Sequence, residues 1–395
     1  MKILVLDTIH GGMEIAAHLR GMGHFTDIVD VYRGRTGIDP ATAKERDYDL
    51  VVAPVHLDPA YPLFRDMACP VITHHQAVRW IIGKNLPKPF VEVTGARGKT
   101  TVASALAGIM PGPGVLHTSM GTYRYPGKEL IARRGITPAS LVHASREAVR
   151  MKGWLVAEVS LGFSGAGDLG IITSADDYLF AGGKRHALSE KVRSGQGLPC
   201  LLGAPGVSSP GVVSAEEMAE VDGEVCHVRD GGASFRNPLL QIEGYRTPLM
   251  LAAAAGWILG LDPAGLSSFA PLEGRMKGDW NGPVFIVDNS NSGTDKTTTL
   301  LAARYAREIS GKERCTLVIG KEKGAVCEGF PLGDIENVIT EISPASVVLV
   351  GDDYSQVRLP DGVLRFLAAD LDEGRARAVR ETTEGCIVLS VKSWR

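Results

Sequence analysis

The sequence predicts an α/β protein of three domains, and three observations carry that reading. Short apolar runs alternate with helical patterns through residues 1–88. A strand then enters a glycine-rich turn and a helix over 90–110, and a second alternating stretch follows Glu273. Alternation of this kind implies parallel strands joined by crossover helices. A chain of 395 residues is too long for one core and suits domains of roughly 100–200 residues.

The elements follow in order. Residues 3–6 read as a strand and 13–22 as a helix, ended by Gly21 and Gly23. Strands are expected at 25–31, 50–54 and 71–73, with a helix over 77–82, giving a small Rossmann-like N-terminal domain over 1–88. The run NLPKP (85–89) carries two prolines and reads as a linker. The central domain, 89–272, has strands at 90–94, 154–157 and 170–173 and a helix at 100–110. Strand-like pieces lie within 203–228, and an apolar helix at 249–259 closes the block. The C-terminal domain, 273–395, is again Rossmann-like, with strands at 284–287, 316–319, 346–350 and 386–389 and helices at 297–309 and 374–382. There is no internal repeat and no low-complexity tract.

Composition narrows the function. The 42 Lys+Arg and 45 Asp+Glu leave a net charge of −3, which argues against a nucleic-acid partner. The longest apolar stretch, 249–261, is short of the roughly 20 residues that cross a bilayer. The N-terminal apolar run is too short for a signal peptide, so a cytoplasmic protein with no membrane partner is expected. The oligomeric state stays open between monomer and homodimer. Cys69, Cys200, Cys226, Cys315, Cys327 and Cys386 form no CxxC pair, so neither a zinc knuckle nor a redox motif is visible.

The most informative stretch is VEVTGARGKTT, residues 91–101. Glycines let consecutive amides turn inward, and a following helix N-terminus adds positive potential where phosphates would sit. Gly95, Ala96, Arg97, Gly98, Lys99, Thr100 and Thr101 are therefore the expected ATP-binding residues. Lys99 would reach the β- and γ-phosphates, and the Thr100 hydroxyl suits Mg²⁺. Standard P-loop spacing would place the first glycine at Val93, so this is a shortened variant. A carboxylate on a neighbouring strand should complete the metal site, and Glu158 in WLVAEVS supplies hard oxygen.

With those residues in view, the chain resembles the Mur ligase superfamily, ATP-dependent enzymes of three domains that activate a carboxylate as an acyl phosphate. VTGARGKTT (93–101) resembles the family's phosphate loop, and AEVS (157–160) its metal-binding strand end. GTYRYPGKELIARRGITP (121–138) is similar to the stretch after the P-loop helix. ITSADDYLFAGGKRHALSEK (172–191) is similar to the segment that carries a carbamoylated lysine, here Lys191, 15 residues after Asp176. Gly274-Arg275-Met276 resembles the opening of the family's C-terminal domain, and VDNSNSGTD (287–295) takes the place of its DYAHNP motif.

The resemblance implies catalytic roles for Lys99, Glu158, Lys191 and Arg275, and metal contacts from Thr100, Glu158, Asp177 and Lys191. It implies ATP contacts from Arg275, Asp288 and Asn289, and a domain-closing motion. There are departures. Asp177 stands where the family has a metal-binding histidine, GYRTP (244–248) replaces its GxHNxxN, and no UDP-sugar peptide site is recognisable in the N-terminal domain.

VLDTIHGG (5–12), GARGKTT, AEVS and DNSNSGTD together resemble a divergent branch of that superfamily, the coenzyme F-430 synthetases of methanogenic archaea. The branch closes the carbocyclic ring of a nickel tetrapyrrole, turning a seco acid into the coenzyme with release of ADP and phosphate. The resemblance thus implies a small-molecule substrate, a nickel tetrapyrrole acid, with a carbon as nucleophile. His186, Asp177 and His10 are the residues available as its base. The N-terminal domain would bind this substrate through Thr8, His10, Gly11 and Gly12, just past the first strand, and through His74 and His75 in a loop after the last. Imidazole suits Ni²⁺, and Arg33, Arg35, Arg133 and Arg134 could meet the substrate's carboxylates. Two other functions remain open on the residues alone: a Mur- or folylpolyglutamate-type amide ligase, and a nucleotide switch that inserts a cofactor into a partner.

Overall fold

The computed structural model describes residues 1–34, 36–229, 232–323 and 330–393. Arg35 and Cys327 lie outside the described residues; the other five cysteines are free thiols. Near the N-terminus stand β1 (Lys2–Leu6), α1 (Gly12–Gly21), β2 (Phe25–Val29), α2 (Pro40–Lys44), β3 (Leu50–Ala53), α3 (Pro62–Asp66), β4 (Val71–Thr73) and α4 (His74–Ile82). Their strands form a parallel sheet in the order β2-β1-β3-β4.

Helix α4 begins three residues earlier than its apolar pattern. Thr73 Oγ1 accepts from the Gln76 amide at 3.2 Å, and Gln76 Oε1 accepts from the Thr73 amide at 2.8 Å. This capping box satisfies two amides at the helix start. It draws His74 and His75 into the first turn, which corrects the expectation that they lie in a loop.

A second sheet is built from β5 (Phe90–Thr94), β6 (Gly114–Thr118), β7 (Gly121–Tyr125), β8 (Glu129–Ala132), β9 (Trp154–Glu158), β10 (Leu169–Ile172), β13 (Cys200–Gly203) and β14 (Val213–Ser214). Its order is β14-β13-β10-β5-β9-β6-β7-β8, parallel except for the antiparallel meander β6-β7-β8. The helices α5 (Lys99–Ile109), α6 (Ser140–Arg150) and α7 (Ala187–Gly195) belong to this part, and a short hairpin, β11 (Leu179–Phe180) and β12 (Arg185–His186), leads into α7. Strand β5 is buried at every position and lies between β9 and β10. Val93 is in register with Glu158, and Thr94 with Ile172. Whatever follows β5 therefore stands beside the ends of both neighbours, the place where open α/β sheets take ligands.

Beyond this sheet, α8 (Ala215–Met218) precedes a three-stranded meander of β15 (Ala219–Asp222), β16 (Val225–Val228) and β17 (Ser234–Arg236). The apolar helix expected at 249–259 is longer than its pattern. As α9 (Glu243–Ile258) it continues through Pro248, which cannot donate a backbone hydrogen bond.

The third sheet comprises β18 (Lys277–Asn281), β19 (Val284–Asp288), β20 (Cys315–Lys321), β21 (Ser346–Val350), β22 (Leu364–Ala368) and β23 (Gly385–Lys392). Helices α10 (Lys296–Ser310), α11 (Leu332–Ile342) and α12 (Leu371–Glu381) accompany it. Its order is β18-β19-β23-β20-β21-β22, parallel except for β18.

The chain divides into two compact units, Met1–Asn237 with Thr247–Ser267, and Pro238–Arg246 with Ser268–Arg395. One apolar core explains why the first two sheets share a unit. It runs from Ile3, Val5 and Ile15 through Ala77 and Val78 of α4 and Leu141 of α6 to Phe90 and Leu155. Each fully buried Val, Leu or Ile in it contributes roughly 1.5–3 kcal/mol, so parting the two sheets would be costly. No helix among the described residues is long and apolar enough to cross a membrane.

Candidate functional site

In the first unit the site begins where β5 ends. Gly95 has φ +152°, and a Cβ there would lie 2.1 Å from Thr173 Oγ1. Gly98, at φ +81°, is the N-cap of α5, and no side chain caps that helix start. A helix start of this kind, behind two glycines, is where α/β proteins receive phosphates. Lys99 Nζ donates to the carbonyls of Gly95 (2.9 Å) and Ala96 (3.3 Å), so the ammonium is held against its own loop.

The segment after β10 braces the loop from the side. Thr173 Oγ1 donates to the Arg97 carbonyl at 2.5 Å, the Ala96 amide donates to Ser174 Oγ at 3.2 Å, and Arg97 pairs with Asp176 at 2.8 Å. Thr100 Oγ1 and Ser119 Oγ are 3.2 Å apart; Ser119 follows β6 and carries no motif that would have singled it out. Thr101 is buried one residue on.

Glu158 ends β9 with 1% of its surface exposed. Another buried carboxylate, Glu92 on β5, has a different task. It accepts from the amides of Ser164 (2.6 Å), Gly165 (3.1 Å), Ala166 (3.1 Å) and Gly167 (3.0 Å) and so pins the loop that follows Glu158. Burial pushes its carboxyl up, and those amides oppose the rise.

Lys191 is not a surface lysine: it is 1% exposed on α7, and Nζ has no hydrogen-bond partner among the described residues. Burial first, and Lys99 second, bring its pKa down to about 8. Asp177 Oδ2 meets His186 Nδ1 at 2.6 Å, and its Oδ1 accepts from the Leu188 amide at 2.9 Å, so this carboxylate also anchors the first turn of α7. Lys191 lies on the second turn of the same helix, which starts at Ala187.

These groups suit magnesium. Glu158 and Thr100 offer hard oxygen, and the Gly95 cradle is one that a Cβ would fill. No cluster of three or more His, Cys, Asp or Glu suited to a metal occurs among the described residues.

At the end of β1, Asp7 is fully buried with φ 140° and accepts from the amides of Ile9 (2.7 Å) and His10 (2.8 Å). Thr8 lies in this turn and is partly exposed. The two glycines have structural reasons. A Cβ on Gly12 would strike the Asp7 carbonyl at 2.0 Å, and one on Gly11 would come within 2.7 Å of the Ala139 Cβ. His10 Nδ1 is 3.2 Å from His56 Nε2 and 3.4 Å from Asp7 Oδ1. Tyr32 stacks on His56 at 5.7 Å and meets His10 edge-on at 5.1 Å. His74 is 1% exposed and burial lowers its pKa to about 3; His75 Nε2 faces the Ser160 carbonyl at 2.9 Å, and burial lowers its pKa to about 4. Sequence reading passed over His56 and Tyr32, which sit in loops without a motif, and gave no role to Asp7, which lies within VLDTIHGG. Of the arginines expected to meet the substrate's carboxylates, Arg134 pairs with Glu14 at 2.8 Å, and Arg33 and Arg133 are exposed.

In the second unit, Gly274 (φ +66°) brings its turn against the loop after β19, where a Cβ would lie 2.3 Å from the Ser290 carbonyl. Arg275 Nη1 donates to Asn291 Oδ1 at 2.5 Å, and Asn291 Nδ2 to the Gly274 carbonyl at 2.7 Å. Asp288 Oδ1 accepts from the Ser290 amide at 2.9 Å. The Asn289 carbonyl accepts from Thr294 Oγ1 at 2.6 Å. Arg275, Asp288 and Asn289 are thus gathered around one loop.

Comparison with known proteins adds to this geometry. Residues 281–393 match the family model for coenzyme F430 synthetase CfbE, C-terminal domain. A coenzyme F(430) synthetase of Methanosarcina acetivorans is 30% identical over 470 residues, covering 100% of this chain and 99% of that protein. Among solved structures, a pseudomurein peptide ligase type C from Methanothermus fervidus aligns with TM-score 0.55 at 15% identity, over 99% of this chain and 97% of that one. The UDP-N-acetylmuramate-alanine ligase MurC of Thermotoga maritima aligns with TM-score 0.52 at 14% identity, over 99% and 95%. The MurF ligase of Thermotoga maritima in complex with ADP aligns with TM-score 0.51 at 13% identity, over 90% and 87%. At such identities the likeness is one of fold, and the fold is that of the Mur ligases.

Proposed function

The chain belongs to the coenzyme F430 synthetase family, and from that premise we propose that it is an ATP-dependent ligase that closes a carbocyclic ring on a nickel tetrapyrrole acid by way of an acyl phosphate. The observation that carries the reading is the uncapped start of α5 behind Gly95 and Gly98, with Lys99 in the loop and Glu158 on the adjoining strand.

The chemistry explains why such a loop is required. A carboxylate resists attack at neutral pH, because it is anionic and would have to expel oxide. One carboxylate oxygen attacks the γ-phosphorus of ATP, ADP departs, and the acid becomes a mixed anhydride. The substrate carbon then gives up a proton, and its electron pair forms the bond to the acyl carbon. The acyl–oxygen bond breaks, phosphate leaves, and a ketone remains. Catalysis of the first step is largely positioning and charge stabilisation.

The loop amides would hold the β- and γ-phosphates while Lys99 turns from its own carbonyls to the γ-phosphate. Thr100 and Glu158 would hold Mg²⁺, which when bound neutralises charge on the phosphate oxygens. The family resemblance implies a phosphate contact for Arg275, whose planar fork suits two oxygens, and nucleoside contacts for Asp288 and Asn289. Lys191 supports a carbamate role. A lysine must shed its proton before it can add CO₂, and the burial that lowers its pKa to about 8 favours the neutral amine. The carbamate would present anionic oxygen to a second cation. Asp177, committed to His186 and Leu188, would orient α7 and take at most a share in that cation.

Incubation with ATP, Mg²⁺ and the open-ring nickel acid is the test. The reading expects one ADP, one phosphate and one ring-closed chromophore per turnover. ADP release that depends on an added amino acid, or ATP hydrolysis with the tetrapyrrole unchanged, would overturn it.

A further inference from the structure

Resting on the ring-closing reading above, we infer that His10 is the base that takes the proton from the nucleophilic carbon, with Asp7 and His56 as positioning residues. The proposal stands on geometry at the end of β1. Asp7 is fully buried, yet its carboxylate is held by the amides of Ile9 and His10 and lies 3.4 Å from His10 Nδ1. On the other side of that nitrogen, His56 Nε2 stands 3.2 Å away. A carboxylate only accepts, so its presence beside Nδ1 favours the tautomer with hydrogen there. That proton is donated to His56 Nε2, and the lone pair of His10 falls on Nε2.

Two further facts keep the arrangement fixed. His56 stays neutral, since burial brings its pKa down to about 4, so it can accept from His10. Hydrogen bonds from His10 and Ile9 hold Asp7 ionised, below the usual carboxylate range, although burial works the other way. A base oriented by a second group, which is oriented in turn by a third, is the general pattern of an activated site. The backbone at Asp7 has φ 140°, a conformation that non-glycine residues rarely adopt and that functional sites tolerate.

His10 is also near the phosphate-binding strands, within the same unit. Gly11 abuts Thr137, with a Cβ position 3.0 Å from Thr137 Oγ1. The carbonyl of Ile136 accepts from the Ser160 amide at 2.9 Å, and Ser160 is two residues beyond Glu158. His10 keeps 41% of its side chain exposed, so it can reach a bound molecule, while Tyr32 and His56, stacked on each other at 5.7 Å, pack roughly perpendicular to its ring and fix its orientation. In the step itself the C–H electron pair forms the new carbon–carbon bond. The proton passes to His10 Nε2, and the resulting imidazolium is stabilised by Asp7 as phosphate departs.

Hydroxylamine separates activation from closure, because it captures an acyl phosphate as a hydroxamate. With ATP, Mg²⁺ and the open-ring acid, His10→Ala and His10→Gln should form hydroxamate at least as fast as wild type, whose acyl phosphate is drained by closure. Both should close the ring roughly 10²- to 10⁴-fold more slowly. Imidazole added to His10→Ala should recover part of the closure rate, which a purely structural role would not allow. Asp7→Asn should lower kcat for closure and leave KM for the acid nearly unchanged. Ring closure at the wild-type rate in His10→Gln would overturn the proposal. So would equal loss of hydroxamate and closure in both His10 variants, or closure lost in His186→Ala and kept in His10→Ala. Absence of hydroxamate from wild type and both variants alike, with no ring closed by wild type, would instead refute the ligase reading beneath it.

Discussion

Lys191 Nζ stands 5.0 Å over the centroid of the Tyr178 ring and has no hydrogen-bond acceptor among the described residues. A buried ammonium without a hydrogen-bond acceptor destabilises the fold, because Asp177 and Asp176 do not make up for its burial and for the like charge of Lys99. Lys191→Met should therefore stabilise the protein at pH 7 in CO₂-free buffer. The fall from 10.5 to about 8 sets an upper bound on the order of 3 kcal/mol. Between pH 8 and 10.5 the folded state binds fewer protons than the unfolded one, so wild-type stability should rise with pH across that window. Lys191→Met should show no such rise and no ring closure. Denaturant unfolding at several pH values checks both, and a less stable Lys191→Met at pH 7 would contradict the account.

Gly95→Ala should weaken ATP binding by tenfold or more, since the new Cβ would meet Thr173 Oγ1 at 2.1 Å in a backbone conformation that alanine avoids. Gly108→Ala, in the same helix as Lys99 but with open space around it, should leave binding unchanged and add roughly 0.5–1 kcal/mol of stability. Calorimetric titration of each variant distinguishes the two.

Glu92→Gln should cost roughly 1–3 kcal/mol. An amide group offers one acceptor oxygen where four backbone donors converge, and its own NH₂ would face one of them. The loss should appear as a lower unfolding midpoint, together with exchange of the Ser164–Gly167 amides that is faster than in wild type. Unchanged protection of those amides would count against Glu92 as the loop's anchor.

Lys99→Ala should abolish turnover and weaken nucleotide binding. Arg275→Ala should lower turnover roughly 10²-fold or more while changing the Kd for ATP far less, as expected of a group that acts on charge in the transition state. Equal losses of affinity in the two variants would contradict the role assigned to Arg275.

The phosphate loop was legible in the sequence because everything that makes it is local. A buried strand, two glycines at positive φ and a helix start occupy consecutive residues. Glu158 was legible because β9 is an apolar run ending in a single carboxylate. What escaped depends on tertiary packing. Glu92 sits inside an apolar strand and gives no sign that four amides from another segment converge on it. Nothing around His56 marks it as the neighbour of His10, 46 residues away. The meander β6-β7-β8 and helix α11 were also missed: β7 and β8 mix polar with apolar residues, and LGDIENVITEI shows its apolar stripe only as a helix. The burial of Lys191, with Tyr178 over its amine, likewise depends on where α7 packs and leaves no mark in the sequence.

The central claim is that ATP energy passes to an acid group through an acyl phosphate. The most direct test supplies the open-ring acid with ¹⁸O in both oxygens of the reacting carboxylate and examines the released phosphate by ³¹P NMR. The account predicts one ¹⁸O in phosphate for every ring closed, because the bridging oxygen leaves with phosphorus. Ring closure that yields phosphate without the label would contradict it.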